Sequence, residues 1–176
     1  MKRQLFFFAT LFIAVISFSS FSDDNCKYKV QKVDKFTGEN EIELEPILLL
    51  KKFKSDVIKV TDLSMVLRKK GQYISFELIF GQAGMSNKSV PRFIGRMDNK
   101  LVCLLKNGSQ VELPMEGDMP DFIKSKTVVH FSVSQESFEL LLKSKITDIR
   151  AVSSVNPFDF KIDDEVNTKA FFKCIE

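Results

Sequence analysis

Three observations predict an α+β, β-rich fold: apolar and polar residues alternate through most of the chain beyond residue 22, turn signals separate the alternating segments, and helical spacing is confined to two short stretches near the C-terminus. The expected architecture is an antiparallel sheet built from hairpins, with two short helices in the C-terminal half. A β-sandwich or barrel with a peripheral helix is the alternative, because hairpin-linked strands can also stack or close.

The elements follow in order. Tyr28 and Val30, then Ile42 and Leu44, alternate around the turn signal Thr37-Gly38-Glu39-Asn40, which gives a first hairpin. Leu63, Met65 and Leu67 share one face of a strand, Arg68 to Gly71 turn the chain, and Ile74, Phe76, Leu78 and Phe80 line one face of its partner. The loop that follows has no period and begins at Gly81; Gly81, Gly84, Met85 and Asn87 form the candidate binding loop. A third hairpin turns at Asn107-Gly108, a pair that tolerates positive φ, between Leu101, Cys103, Leu105 and Val111, Leu113. Pro114, Gly117 and Pro120 mark another loop, and Thr127 to Val133 reads as a strand. Ser134 is a helix N-cap with Glu136 in the first turn, and Phe138, Leu141 and Leu142 fall on one helical stripe that ends near Ser144. A strand through Ile149 and Ala151 and an alternating Phe158, Phe160, Ile162 precede a second helix. That helix is expected to open at Asp163-Asp164-Glu165 and to carry Val166, Ala170 and Cys174 on one stripe.

Lys2 and Arg3 precede an apolar run from Leu5 to Phe18, followed by Ser19, Ser20 and Ser22, which is the pattern of a secretory signal peptide over residues 1–22, cleaved after Ser22. The run is about 14 residues, against roughly 20 for a helix that crosses a bilayer, and no later run approaches that length. Residues 23–176 then form a single domain with 24 basic and 23 acidic residues, a balance that gives no field for nucleic acid. Asp23, Asp24 and Asn25 stand where a lipoprotein would carry apolar and small residues, so Cys26 reads as an ordinary cysteine of an exported (periplasmic or secreted) protein. Cys26 and Cys174 are expected to form a disulfide that leaves Cys103 free. The competing reading keeps all three thiols reduced, with Cys174 as a small core residue.

Candidate chemistry is sparse. His130 is the single histidine, which excludes a multi-histidine zinc site, and it lies on the strand face opposite Val129, Phe131 and Val133. Cys103 shares an apolar face with Leu101 and Leu105, where a thiol is buried and inert. Phosphate loops, nucleophile elbows and metalloprotease helices are missing from the sequence. Asp159, Asp163 and Asp164 lack the regular oxygen spacing of a calcium loop. Neither catalytic residues, nor metal ligands, nor a cofactor are assigned. Asn87-Lys88-Ser89 and Asn107-Gly108-Ser109 match glycosylation triplets.

The runs Asp34-Lys35-Phe36-Thr37-Gly38, Leu104-Leu105-Lys106-Asn107-Gly108, Phe131-Ser132-Val133-Ser134-Gln135-Glu136 and Ile146-Thr147-Asp148-Ile149-Arg150 resemble a pattern recurring in small secreted bacterial proteins without assigned function. The resemblance covers about half of the chain beyond the leader. It implies an exported bacterial domain and transfers no active site. The expectation is an exported binding domain whose partner is another protein, a glycan or a small apolar ligand; the alternative is a hydrolase or transferase whose acidic site assembles only in three dimensions.

Overall fold

A computed structural model describes residues 26–54, 59–82, 97–117, 121–123, 126–153 and 157–176. The leader at 1–22 and the loop residues Gly84, Met85 and Asn87 lie outside the described residues. The strands form two antiparallel sheets. The first runs β1 (Tyr28–Val33), β2 (Asn40–Leu44), β4 (Lys59–Lys70), β5 (Tyr73–Gln82), β9 (Lys126–Val133), β8 (Asp121–Ile123), with β3 (Ile47–Lys54) also paired to β4. The second runs β11 (Phe158–Lys161), β10 (Ile146–Ser153), β6 (Met97–Leu105), β7 (Gln110–Pro114). Two helices, α1 (Gln135–Lys143) and α2 (Thr168–Lys173), lie in the C-terminal half. The fold is therefore the β-rich, hairpin-built α+β class, in two sheets and without a closed barrel.

The sheets meet along single backbone contacts. Beyond β7, Met115 bridges to Phe131 and the Glu116 N–H donates to the His130 carbonyl at 2.8 Å. Beyond β11, the Asp163 N–H donates to the Leu49 carbonyl at 3.0 Å. Between the sheets, inward-facing residues of β2 to β7 and β9 to β11 make one core. Leu63, Met65 and Leu67 of β4 stand opposite Phe80, Leu78 and Phe76 of β5, and all six are buried. Each such side chain contributes about 1.5–3 kcal/mol by leaving water. Phe80 meets Phe160 of the opposite sheet at 5.8 Å between ring centres, while Phe76 touches Phe131 edge-on at 6.1 Å and stacks on Phe172 of α2 at 6.3 Å.

The turn between β4 and β5 is tighter than expected. Strand β4 continues through Arg68, Lys69 and Lys70 because β2 pairs with all three, and the turn is Gly71-Gln72, with Gly71 at φ +58°. Two strands have no alternating signature. In β3 the register shifts between Leu48 and Leu50, so the adjacent Leu49 and Leu50 are both buried. β8 spans only three residues. Helix α1 matches its expected span: the Ser134 hydroxyl accepts the Ser137 N–H at 3.2 Å, and Phe138 and Leu141 are buried. Helix α2 starts later than expected. Asp163 to Glu165 belong to a preceding turn, closed by the Val166 N–H on the Asp163 carbonyl, and Asn167 is the cap, its Oδ1 accepting the Ala170 N–H at 3.2 Å.

Cys26 and Cys174 are joined in a disulfide with Cα atoms 5.6 Å apart, and Cys103 is free and buried. A bridge of this kind persists in an oxidising compartment. Among the described residues, no helix is long and apolar enough to cross a membrane.

Candidate functional site

The second sheet turns Leu101, Cys103, Leu105, Val111, Leu113, Ile149, Ala151 and Phe160 into the core, so the intervening residues face outward. Register lays them out as a grid. One row reads Glu112, Val102, Arg150, Asp159 from β7 to β11, and the next reads Gln110, Leu104, Asp148, Lys161. The result is an open cleft of about 580 Å³ with half-buried Val102 and Leu104 on its floor and Lys100, Gln110, Asp148, Arg150, Pro157 and Asp159 around them.

Two ion pairs fix the polar side chains of this face. Arg150 grips Asp159 in a two-pronged contact, Nε to Oδ1 at 2.6 Å and Nη2 to Oδ2 at 2.7 Å. The Arg150 hydrogen bonds hold the Asp159 carboxyl below the usual carboxylate range, and Asp159 in turn raises the guanidinium. Lys100 Nζ lies 3.0 Å from both carboxylate oxygens of Glu112. Both pairs are well exposed, so each is worth little to stability. Their consequence is an aliphatic strip bordered by oriented charges of both signs.

A second polar cluster occupies the outward face of the first sheet. Glu77 of β5 is only 3% exposed and receives Arg68 from β4 and His130 from β9, the latter through Nδ1 at 3.1 Å. His130 Nε2 reaches Asp121 of β8 at 3.0 Å, and Arg68 Nε reaches Glu43 of β2 at 3.1 Å. The contacts to Glu77 Oε1 are ionic, outside hydrogen-bond alignment. When protonated, the imidazole can donate from both ring nitrogens to the flanking carboxylates; when neutral it can donate to one. For Glu43, burial pushes its carboxyl upward, and hydrogen bonds from Lys29 and Arg68 outweigh it, leaving a net lowering. The cluster joins five strands around one buried carboxylate.

Of the residues singled out by sequence, Cys26 and Cys174 come together as expected. Gly81 lies inside β5, opposite Asp62 on β4 and Lys126 on β9, rather than in the loop. A Cβ there would overlap the Asp62 carboxylate, and Thr61 Oγ1 is 2.6 Å from that position, so glycine suits the close approach of the strands. Cys103 is fully buried, and burial pushes its thiol up to about 12. His130 does face away from the core, yet it is engaged on both sides. Asp159 is an ion-pair partner, and Asp163 and Asp164 lie in the turn before α2. Asn107 sits in the exposed turn of the third hairpin and accepts the Ser109 N–H at 3.1 Å. Among the described residues no group of three or more His, Cys, Asp or Glu could hold a metal ion.

The outward grid was missed because its members come from four strands. The available signal was the residues interleaved with the apolar faces of the third hairpin and of the strand through Ile149. Comparison with protein-family models, curated proteins and solved structures finds no match to this chain, so its geometry alone carries the functional reading.

Proposed function

We propose that the chain is an exported binding domain whose ligand face is the open outer face of the second sheet, and that its ligand is a segment of another protein. The observation that carries this reading is the strip of Val102 and Leu104 bordered by Arg150–Asp159 and Lys100–Glu112. Aliphatic contacts ringed by charges suit a polypeptide, whose side chains alternate in the same way. Among the described residues lining the cleft none is aromatic, as a platform for sugar rings would be, and the cleft is too open to enclose a small apolar molecule. Export is supported by the Lys2-Arg3 leader pattern and the Cys26–Cys174 disulfide.

The test places a photo-crosslinking amino acid at Val102 in protein produced by the native exporting cell. A discrete protein adduct should form and should disappear when Leu104→Asp or Arg150→Glu is added. An adduct indifferent to both changes, or no adduct beyond that of a crosslinker at the exposed Glu139 of α1, overturns the reading.

The enzymatic alternative rests on the Glu77, His130 and Asp121 cluster. Glu77 is buried and already engaged by Arg68 and His130, which disfavours it as a group that meets substrate. Ester or glycoside hydrolysis that is lost in His130→Gln would favour the enzyme.

A further inference from the structure

The edge strand of the first sheet is tied down by an ionisable side chain. β8 is three residues long and ends the sheet beside β9, with Asp121 opposite Val128, Phe122 opposite Thr127 and Ile123 opposite Lys126. So short a ladder belongs to the part of a fold that opens first, because few backbone hydrogen bonds hold it. A side-chain contact supplements it: His130 Nε2 lies 3.0 Å from Asp121 Oδ2. His130 stands two positions past Val128 on β9, so this contact fastens β8 from beyond the end of its ladder.

The imidazole is held between two carboxylates in opposite surroundings. Nδ1 faces the buried Glu77 of β5 at 3.1 Å, and Nε2 faces Asp121, whose side chain is 66% exposed. Behind Glu77 stand Arg68 of β4 and Glu43 of β2, the latter also held by Lys29. On the same face of β9, Lys126 lies four residues back and is exposed. The segment after β7 meets the His130 carbonyl through the Glu116 N–H, and the Glu116 carboxylate accepts the Tyr73 hydroxyl proton. With the imidazole charged, the carboxylates of Glu43, Glu77 and Asp121 are matched by Lys29, Arg68 and His130. With it neutral, one negative charge is in excess.

A neutral imidazole keeps a single N–H, so its other nitrogen turns a lone pair toward one of the two carboxylates. Against Glu77 this sets two acceptors together at a buried site, where water cannot relieve them and the low dielectric magnifies the cost. Against Asp121 the clash is relieved when the exposed carboxylate swings into solvent. The remaining proton therefore stays on Nδ1, and the contact that is lost is the one to β8.

We propose that His130 is a pH-operated latch: its charged form fastens β8 to the first sheet through Asp121, and its neutral form lets that strand go. Release uncovers the edge of β9 from Lys126 to Val128, where another strand can pair. The latch lies on the first sheet, apart from the ligand face of the second.

Imidazole is the side chain that ordinarily changes charge between about pH 5 and pH 8, and His130 is the only one in the chain. Cys103, the one free thiol, is held up at about 12 by burial. A response in that window therefore belongs to His130. Amide exchange followed by NMR at about pH 5.5 and about pH 8 tests the latch, each rate being referred to the intrinsic rate at its own pH to give a protection factor. The N–H groups that pair β8 with β9 should lose protection by about two- to five-fold at the higher pH, the range of an exposed ion pair. Those that pair β10 with β11 should hold theirs. His130→Gln, which cannot change charge, should abolish the response. Asp121→Asn offers an acceptor to the charged ring and a donor to the neutral one, so β8 should be equally protected at both pH values. An unchanged far-UV spectrum establishes that each variant folds, and if one does not, the other carries the test. Equal protection of β8 in the wild type at both pH values overturns the proposal. So does a loss shared equally by the second sheet, or a response that survives in a folded variant.

Discussion

Thr168 shows how a single polar atom ties the last helix to the second sheet. Its side chain is fully buried, and its Oγ1 accepts the backbone N–H of Ile146 at 2.7 Å. Thr168→Val keeps the shape and removes the acceptor, leaving a buried amide unpaired, which costs about 1–3 kcal/mol. Urea unfolding should register that loss, and an unchanged midpoint would mean that water replaces the hydroxyl. Carboxylates give the chain a direction in pH. Asp34 is lowered by the backbone N–H groups of Phe36 and Thr37, Asp159 by Arg150, and Glu43 by Lys29 and Arg68 against its burial. A lowered carboxyl binds its proton less tightly when folded, so near pH 4 the unfolded chain holds more protons and stability rises with pH. These contributions are complete above the ordinary carboxylate range and are lost as pH falls through the lower folded values. The unfolding midpoint should therefore drop between about pH 5 and pH 3, and Glu43→Gln should flatten part of that slope. A midpoint that is constant or rises on acidification contradicts the assignment.

At the scale of elements, β5 is the centre of the molecule, flanked by β4 and β9 and carrying Phe76 against Phe131 and Phe172. Phe76→Ala should cost about 3–5 kcal/mol, because the Phe131 and Phe172 rings lose a neighbour and the cavity cannot collapse without moving both sheet and helix. A near-zero loss in equilibrium unfolding would contradict the packing. This strand was legible in the sequence for the same reason that it matters: one face buried and the other polar writes a period of two into the chain. β3 was not legible, because the register shift beside Leu50 turns adjacent residues inward and erases the period. The start of α2 was misplaced because acidic residues suit both a helix N-terminus and the turn before it, while the cap, Asn167, lies two residues beyond Glu165. The outward polar grid was legible only in part. His130 could be placed on the outer face, but its meeting with Glu77 depends on the pairing of β5 with β9, across a span of chain where no local pattern sets register.

For the whole molecule, the Cys26–Cys174 bridge spans 148 positions and closes both ends of the described chain on one another. A crosslink of that reach removes many conformations from the unfolded state and, on the chain-entropy account, stabilises by up to about 5 kcal/mol. Other contacts hold the same ends. Tyr28 donates its hydroxyl proton to the Cys174 carbonyl at 3.2 Å, Lys69 Nζ reaches the Ile175 carbonyl at 2.8 Å, and Phe172 is buried in the ring cluster. The bridge therefore restricts the unfolded chain more than it shapes the folded one. Replacing both cysteines by alanine should leave the far-UV spectrum unchanged while lowering the urea midpoint by an amount that converts to several kcal/mol. Cys103 provides an internal control, since burial at a pushed-up thiol pKa should keep it unreactive to alkylation until the chain unfolds. If the double variant loses its spectrum outright, the bridge is needed to build the fold. If the midpoint barely moves, the unfolded chain already keeps its ends together and the entropic account fails for this protein.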